Sequence, residues 1–362
     1  MKLFQRLLVA PAALGLMAPL AANADVTTIS KDSDLNSEVI QARVDAIDAE
    51  LGEIMAGQFS STTTFKGKVN FTTGSTTDHA SLGDEIHQTY EIKYGLSSSF
   101  TGEDKLAIKF ESGSGKGMGL DPQSNKGDDG EFMELTDIYY SFPLADDFSV
   151  SFGPKMDGDE GLEGTASLYS DKAGVSQEYA SLDGEGGVGA TFGYKGDNGF
   201  NGSLNLTAVD GDDSTKGIMG DDGDTYTTAQ LGYDGDNFGG AITYLDAEDS
   251  HTAVGVGVYY QPETLPVEIS AYYDSKSPES GDDDTNWSVG VESDAGPGTL
   301  GVGVGTIASD SDPDADKMQY EVWYDYKVAD GITVTPILWQ QEDAGLNGEN
   351  ETGAAVNLGF KF

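Results

Sequence analysis

The 362-residue chain contains no cysteine. That excludes a disulfide framework, thiolate metal sites and cysteine nucleophiles. Histidine is nearly as scarce, at three residues. His79 and His87 stand near Asp78, Asp84 and Glu85, and His251 stands apart. No spacing among them supports a metal site or a Ser–His–Asp arrangement, and a histidine in a polar loop is ordinarily a solvated one. The glycine-rich "GSGKG" (113–117) lacks the Ser/Thr and the helix that a phosphate loop needs. The expectation is a protein that is not an enzyme. Basic residues are also few: 19 Lys+Arg face 63 Asp+Glu, for a formal net charge of -44. Phosphate neutralisation needs clustered Lys and Arg, so nucleic acid is excluded as a partner. The same balance opposes docking on an anionic lipid surface and favours cations. Long hydrophobic runs are missing as well. Beyond Leu20 no stretch reaches the roughly 18 apolar residues that a membrane-crossing helix requires.

What is present begins at the N-terminus. Lys2 and Arg6 precede an apolar run, "LLVAPAALGLMAPL", and then Ala22-Asn23-Ala24. A basic start, an apolar centre and a small-x-small end predict a secretory signal peptide over 1–24, cleaved after Ala24 with Ala22 and Ala24 as the recognised pair. A linker follows over 25–33. From 34 to 57 the period is helical: Ile40, Val44, Ile47, Leu51 and Ile54 step by alternating fours and threes, behind a cap at Ser33 or Asp34. This predicts a short periplasmic coiled coil, and the residue types at the seam point to a trimer or higher order. A helix lying against its own domain gives the same spacing.

After Gln58 the period becomes two and stays so. In "ELTDIYYSFPLADDFSVSFGP" (134–154), Ile138, Tyr140 and Phe142 fall on one side, with Asp137, Tyr139 and Ser141 on the other. Each such run is a strand with one oily and one wet face. In "MQYEVWYDYKVA" Trp323 is an exception, a large aromatic on the wet side. About sixteen such runs of about ten residues follow one another, an even number within the range of outer-membrane barrels. Short turns such as "TGED" (101–104) and "KGDN" (195–198) alternate with mostly longer acidic loops at 74–85, 113–132, 156–184, 209–224, 247–250, 275–284, 307–315 and 342–352. Tyr90, Tyr94, Tyr140, Tyr260, Tyr273, Trp287, Tyr320 and Tyr326 sit near strand ends on the oily faces, as interfacial girdles require. The expectation is an all-β transmembrane antiparallel barrel over 58–362, with the outer-membrane lipid bilayer as its surroundings.

The 134–154 hairpin, the ending "ITVTPILWQQED…VNLGFKF" and the coiled coil before "QFSSTTTFKGKVNF" resemble the cyanobacterial carbohydrate-selective (OprB-like) outer-membrane porin family. The resemblance implies a homotrimeric porin that passes ions and small hydrophilic solutes, including carbohydrates. It also implies that the terminal aromatics Phe360 and Phe362 form a signal for the barrel-assembly machinery. Many members carry a surface-layer-homology domain before the coiled coil. Only "DVTTISKDS" (25–33) occupies that place here, a departure that leaves cell-wall anchoring open.

With both termini periplasmic, 156–184 is the third outward loop, the one that narrows the lumen in general porins. It is therefore the candidate constriction, with Asp157, Asp159, Glu160, Glu163 and Asp171 facing the pore. Lys66, Lys68, Lys93, Lys105 and Lys109 lie on the wet faces of the first three strands. Acids facing lysines would set a transverse field. The alternative is a solvated surface loop, with the lysines paired to neighbouring acids. "DSDPDAD" (310–316) departs from a calcium loop because Ala315 stands where the turn glycine belongs. No cofactor is expected beyond Ca2+ or Mg2+ held loosely at the acidic loops. The resulting expectation is a passive, cation-preferring channel. The competing one is a secreted or surface-attached soluble all-β adhesin that binds divalent cations.

Overall fold

The computed structural model describes residues 63–77, 85–114, 118–124, 133–175, 182, 184–218, 224–306, 317–342 and 348–362. The expected signal peptide with Ala22 and Ala24, the linker and the coiled-coil helix lie outside these residues, as do His79 and the acidic run 310–316.

Sixteen strands form among the described residues. They are β1 (Thr63–Thr77), β2 (His87–Ser98), β3 (Lys105–Gly113), β4 (Glu134–Ala145), β5 (Phe148–Met156), β6 (Gly187–Lys195), β7 (Phe200–Ala208), β8 (Thr225–Asp234), β9 (Phe238–Ala247), β10 (His251–Tyr260), β11 (Val267–Pro278), β12 (Asp284–Ala295), β13 (Gly298–Thr306), β14 (Met318–Ala329), β15 (Ile332–Gln341) and β16 (Glu351–Lys361). Each pairs with its sequence neighbours, every pairing is antiparallel, and β1 pairs β16. The ring is a closed barrel. Closure leaves no unpaired edge, so every strand's backbone groups find partners within the sheet.

The two-residue period sorts the faces. On β1, Asn70 and Thr72 point inward and are fully buried, while Phe65 and Phe71 are 55 % and 41 % exposed on the outside. On β10, Val254, Val256, Val258 and Tyr260 face out, and Ala253, Gly255 and Gly257 face in. The barrel is thus inverted relative to a soluble protein, with apolar side chains outside and polar ones inside. Its strands, from 9 residues in β3 to 15 in β1, are long enough to span a bilayer.

β1 and β11 run further than the two-residue period predicts, into the stretches expected as loops at 74–85 and 275–284. Thr77 still pairs Thr352 and Pro278 still pairs His251. Ladder hydrogen bonds carry these ends, where both faces are polar and alternation gives no signal.

The turn between β2 and β3 is held by Asp104, which accepts from the backbone N–H of Phe100 and Thr101 at 2.8 Å each and from the Tyr140 hydroxyl at 2.6 Å. Burial pushes this carboxyl up. The bonds from Tyr140, Thr101 and Ser99 outweigh that and hold it well below the usual carboxylate range.

The C-terminus seals the ring. Phe362 and Gly67 exchange backbone bonds of 3.0 and 2.8 Å, and the Phe362 ring lies 6.1 Å from that of Phe65. Phe360 meets Phe71 edge-on at 5.8 Å. A Cβ at Gly67 would enter the Phe362 ring, so the seam needs glycine there.

Candidate functional site

The interior is organised by the connection between β5 and β6, whose described residues 157–175 turn into the barrel and follow its inner wall. The polar side chains that face inward from successive strands receive its backbone. Thr191 of β6 donates to the Glu160 carbonyl at 2.6 Å. Ser203 of β7 accepts the Glu163 N–H at 2.8 Å, and Gln230 of β8 accepts that of Gly164 at 2.7 Å. Ser270 of β11 takes Leu168 at 2.9 Å and Glu292 of β12 takes Ser170 at 2.6 Å. A loop laid inside a protein needs such partners, because an unpaired buried N–H is costly.

The path ends at β14. Glu321 accepts the Lys172 N–H at 3.0 Å, the Ala173 N–H at 2.6 Å and the Tyr169 hydroxyl at 2.5 Å. Trp323, two residues along and only 2 % exposed, donates its indole N–H to the Tyr169 hydroxyl at 3.2 Å, and the Lys172 ammonium stands 4.7 Å from its ring centroid. The wall is flattened where the loop crosses it. A Cβ at Gly290 would overlap the Tyr169 ring, and one at Gly257 would overlap the Ala166 backbone.

The connection between β3 and β4 supplies a second inward segment, 118–124. Thr72 donates to the Pro122 carbonyl at 3.2 Å, and Gln123 donates to Thr89 at 2.7 Å. The Asp121 N–H bonds the Lys172 carbonyl at 2.9 Å, so the two segments meet beside β14. Met118 and Leu120 pack there with Tyr169, Trp323, Ile337 and Trp339. Together the two segments line much of the inner wall.

A water-accessible space of about 1230 Å³ remains along β16, β1, β2, β3, β4 and β5. Lys66, Lys68, Lys93 and Lys109 line it, as expected; Lys105 does not. Lys105 instead donates to the Tyr139 hydroxyl at 2.6 Å and lies over that ring at 4.9 Å. Lys109 bridges Asp137 at 2.8 Å and Glu160 at 3.1 Å. Lys93 meets Glu91 at 2.9 Å and Glu111 at 3.6 Å, and Lys68 meets Glu91 at 3.8 Å. The five predicted acids do not form one bank facing these lysines. Glu160 is in direct contact with Lys109, and Asp157 and Asp159 interact electrostatically with it. Glu163 accepts from Ser149 at 3.0 Å, on β5, and Asp171 lies beside Lys172 where the loop reaches β14.

Asp157 lines the same space. Its carboxyl is pushed up to about 6, first by its withdrawal from bulk water inside the barrel and then by Asp137, Asp159 and Glu160, against the pull of Lys109. Asp159 is shifted up for the same leading reason. Three further lysines line the space beyond the expected set: Lys155, Lys327 and Lys361. Each sits on the wet side of its strand's alternation, which is the signal that could have found them.

His87 and His251 open β2 and β10, eight places apart in a ring of sixteen. Among the described residues no group of three or more His, Cys, Asp or Glu could hold a metal ion.

No protein-family model matches the chain. A curated relative, an uncharacterized protein of Nostoc sp. (strain PCC 7120), is 30% identical over 115 residues, which span 30% of this chain and 20% of that protein. The chain thus matches about a fifth of that relative's length. Among solved structures, Pseudomonas putida OprB at high pH aligns with TM-score 0.61 at 12% identity, covering 83% of this chain and 94% of that one. A mutant of Rh. blastica porin aligns with TM-score 0.54 at 15% identity, covering 83% of this chain and all of the other. At such identities the likeness is one of fold: a closed, sixteen-stranded antiparallel porin-type barrel.

Proposed function

We propose that the chain is an outer-membrane porin, a passive water-filled channel for ions and small hydrophilic solutes, with no catalytic role. One observation carries the reading. The barrel is closed and apolar outside, while its polar interior keeps an open, charged space beside a loop bound to the inner wall. Apolar rings and branched chains around a whole circumference have no partner in water but are covered by lipid. A soluble adhesin would leave that surface bare, so the outward face disfavours it.

Export by the 1–24 signal, assembly through the terminal aromatics Phe360 and Phe362, and a homotrimer belong to this proposal. Carbohydrate passage rests on the family resemblance. The cation preference expected from net charge, and loose binding of Ca2+ or Mg2+ by the acidic loops, are part of the same proposal.

Reconstitution into a planar bilayer tests the proposal. Purified protein should give stepwise conductance and should migrate faster unboiled than boiled on a denaturing gel. Protein that fractionates as a water-soluble monomer and gives no steps would refute it.

A further inference from the structure

Ring closure places β16 against β1, and this creates an arrangement that neither strand has alone. Lys361 is the cross-strand partner of Lys68, and Lys68 is the partner of Lys93. Three ammonium groups therefore stand in register on three adjacent strands, all facing the lumen. Like charges directly opposite one another destabilise a sheet. Glu91 offsets two of them, reaching Lys93 and Lys68. Among the described residues no carboxylate comes within 4 Å of Lys361 or of Lys66.

Beside this row lies a bare patch of wall. Gly95 faces inward on β2, with Lys66 as its partner on β1 and Lys109 as its partner on β3. Nothing lies within 4 Å of where a Cβ on Gly95 would stand. The patch is thus an open backbone floor with ammonium groups on both sides and Lys93 two residues away. All these residues line the 1230 Å³ space. Glu111, Glu134, Asp137 and Asp157 also border it; Glu111, Asp137 and Glu134 pair with Lys93, Lys109 and Lys155, which leaves Lys66 and Lys361 as lysines of this wall without a side-chain carboxylate within 4 Å among the described residues.

We propose that this cradle binds a small tetrahedral oxyanion of the inorganic phosphate or sulfate class, over Gly95 and between Lys66, Lys68 and Lys361. The proposal rests on the porin reading for its biological sense, as a station for anions crossing an otherwise acidic protein. A compact divalent anion fits because it offsets several ammonium groups at once and can lie against a wall without side chains. A neutral sugar gains nothing from the uncompensated charges.

The test is calorimetric titration of inorganic phosphate into the full-length, detergent-solubilised protein at low salt. Saturable binding is expected, weakening as salt rises. Lys66→Gln and Lys361→Gln should each weaken it by about threefold to tenfold, as loss of a nearby charge does. Lys276→Gln, on β11, removes the same charge away from the cradle and should leave affinity unchanged. Gly95→Val fills the floor without meeting any neighbour, so it should abolish binding in a protein that still migrates as a folded barrel. Absence of phosphate binding by the wild-type barrel would overturn the proposal, as would equal affinity in the wild type, Lys66→Gln and Gly95→Val. Because this measurement needs no conductance, failure here is separate from failure of the porin reading, which the bilayer experiment decides.

Discussion

At Asp157 the environment changes the chemistry of a side chain on the open part of the lumen. Withdrawal from bulk water inside the barrel, followed by repulsion from Asp137, Asp159 and Glu160, lifts its carboxyl to about 6. An acid whose folded value is raised stabilises the docked loop in its protonated form. That contribution is full below the ordinary value of 3.8 and is lost as pH rises through about 6. Near neutral pH the group is therefore charged at a cost, and acidification relieves it. The lumen also loses a negative charge beside Lys109 over the same interval. The reversal potential under a salt gradient should accordingly move toward anion preference between pH 7 and pH 5, with its midpoint near 6. Asp157→Asn should remove most of that shift and sit near the low-pH value throughout. A wild-type profile that is flat across this interval would show that Asp157 does not titrate in the conducting path.

At the scale of elements, the inward loop depends on strands that supply hydrogen bonds and strands that supply room. Gly290 and Gly257 do the second: a side chain at either would enter the space of Tyr169 or Ala166. Gly290→Val keeps a strand-favouring residue in β12 but adds volume against a ring already held by Glu321 and Trp323. Overpacking of this kind costs about 1–3 kcal/mol, and here it falls on the loop contact and not on the strand ladder. Single-channel conductance should rise as the loop is displaced, while the faster migration of unboiled protein is retained. The strands themselves were legible because an apolar outside and a polar inside impose a period of two on nearly every run. The course of the loop was not. Its backbone is bound by Thr191, Ser203, Gln230, Ser270, Glu292 and Glu321, which are scattered over more than a hundred residues and look like ordinary wet-face positions. The trace that did exist was Trp323, which broke the alternation on β14 because it faces the loop and not water.

On the scale of the whole molecule, charge is divided along the channel. Long connections at one end carry acids such as Asp210, Asp212 and Asp213, or Asp282 and Asp283. Lysines gather on the wall from β14 through the seam to β5, where Lys327, Lys361, Lys66, Lys68, Lys93 and Lys155 line one space. Seven lysines against four carboxylates, Glu111, Glu134, Asp137 and Asp157, make that wall positive within a chain of net charge -44. The lysine wall was only half visible beforehand, because Lys361 and Lys68 are separated by nearly the entire barrel sequence and become partners only when the ring closes. Two zones of opposite fixed charge in series favour ion flow in one direction, since one polarity fills the junction with mobile ions and the other empties it. The effect needs a screening length comparable to the zones, about 30 Å at 0.01 M salt, and disappears when that length falls to about 3 Å near 1 M. A reconstituted channel should thus pass unequal currents at equal and opposite voltages in dilute salt and nearly equal currents at high salt. Lys66→Gln with Lys361→Gln should reduce the inequality by weakening the positive zone alone. Symmetric currents at low salt would mean that the acidic loops lie too far from the conduction path to act in series with the lysine wall.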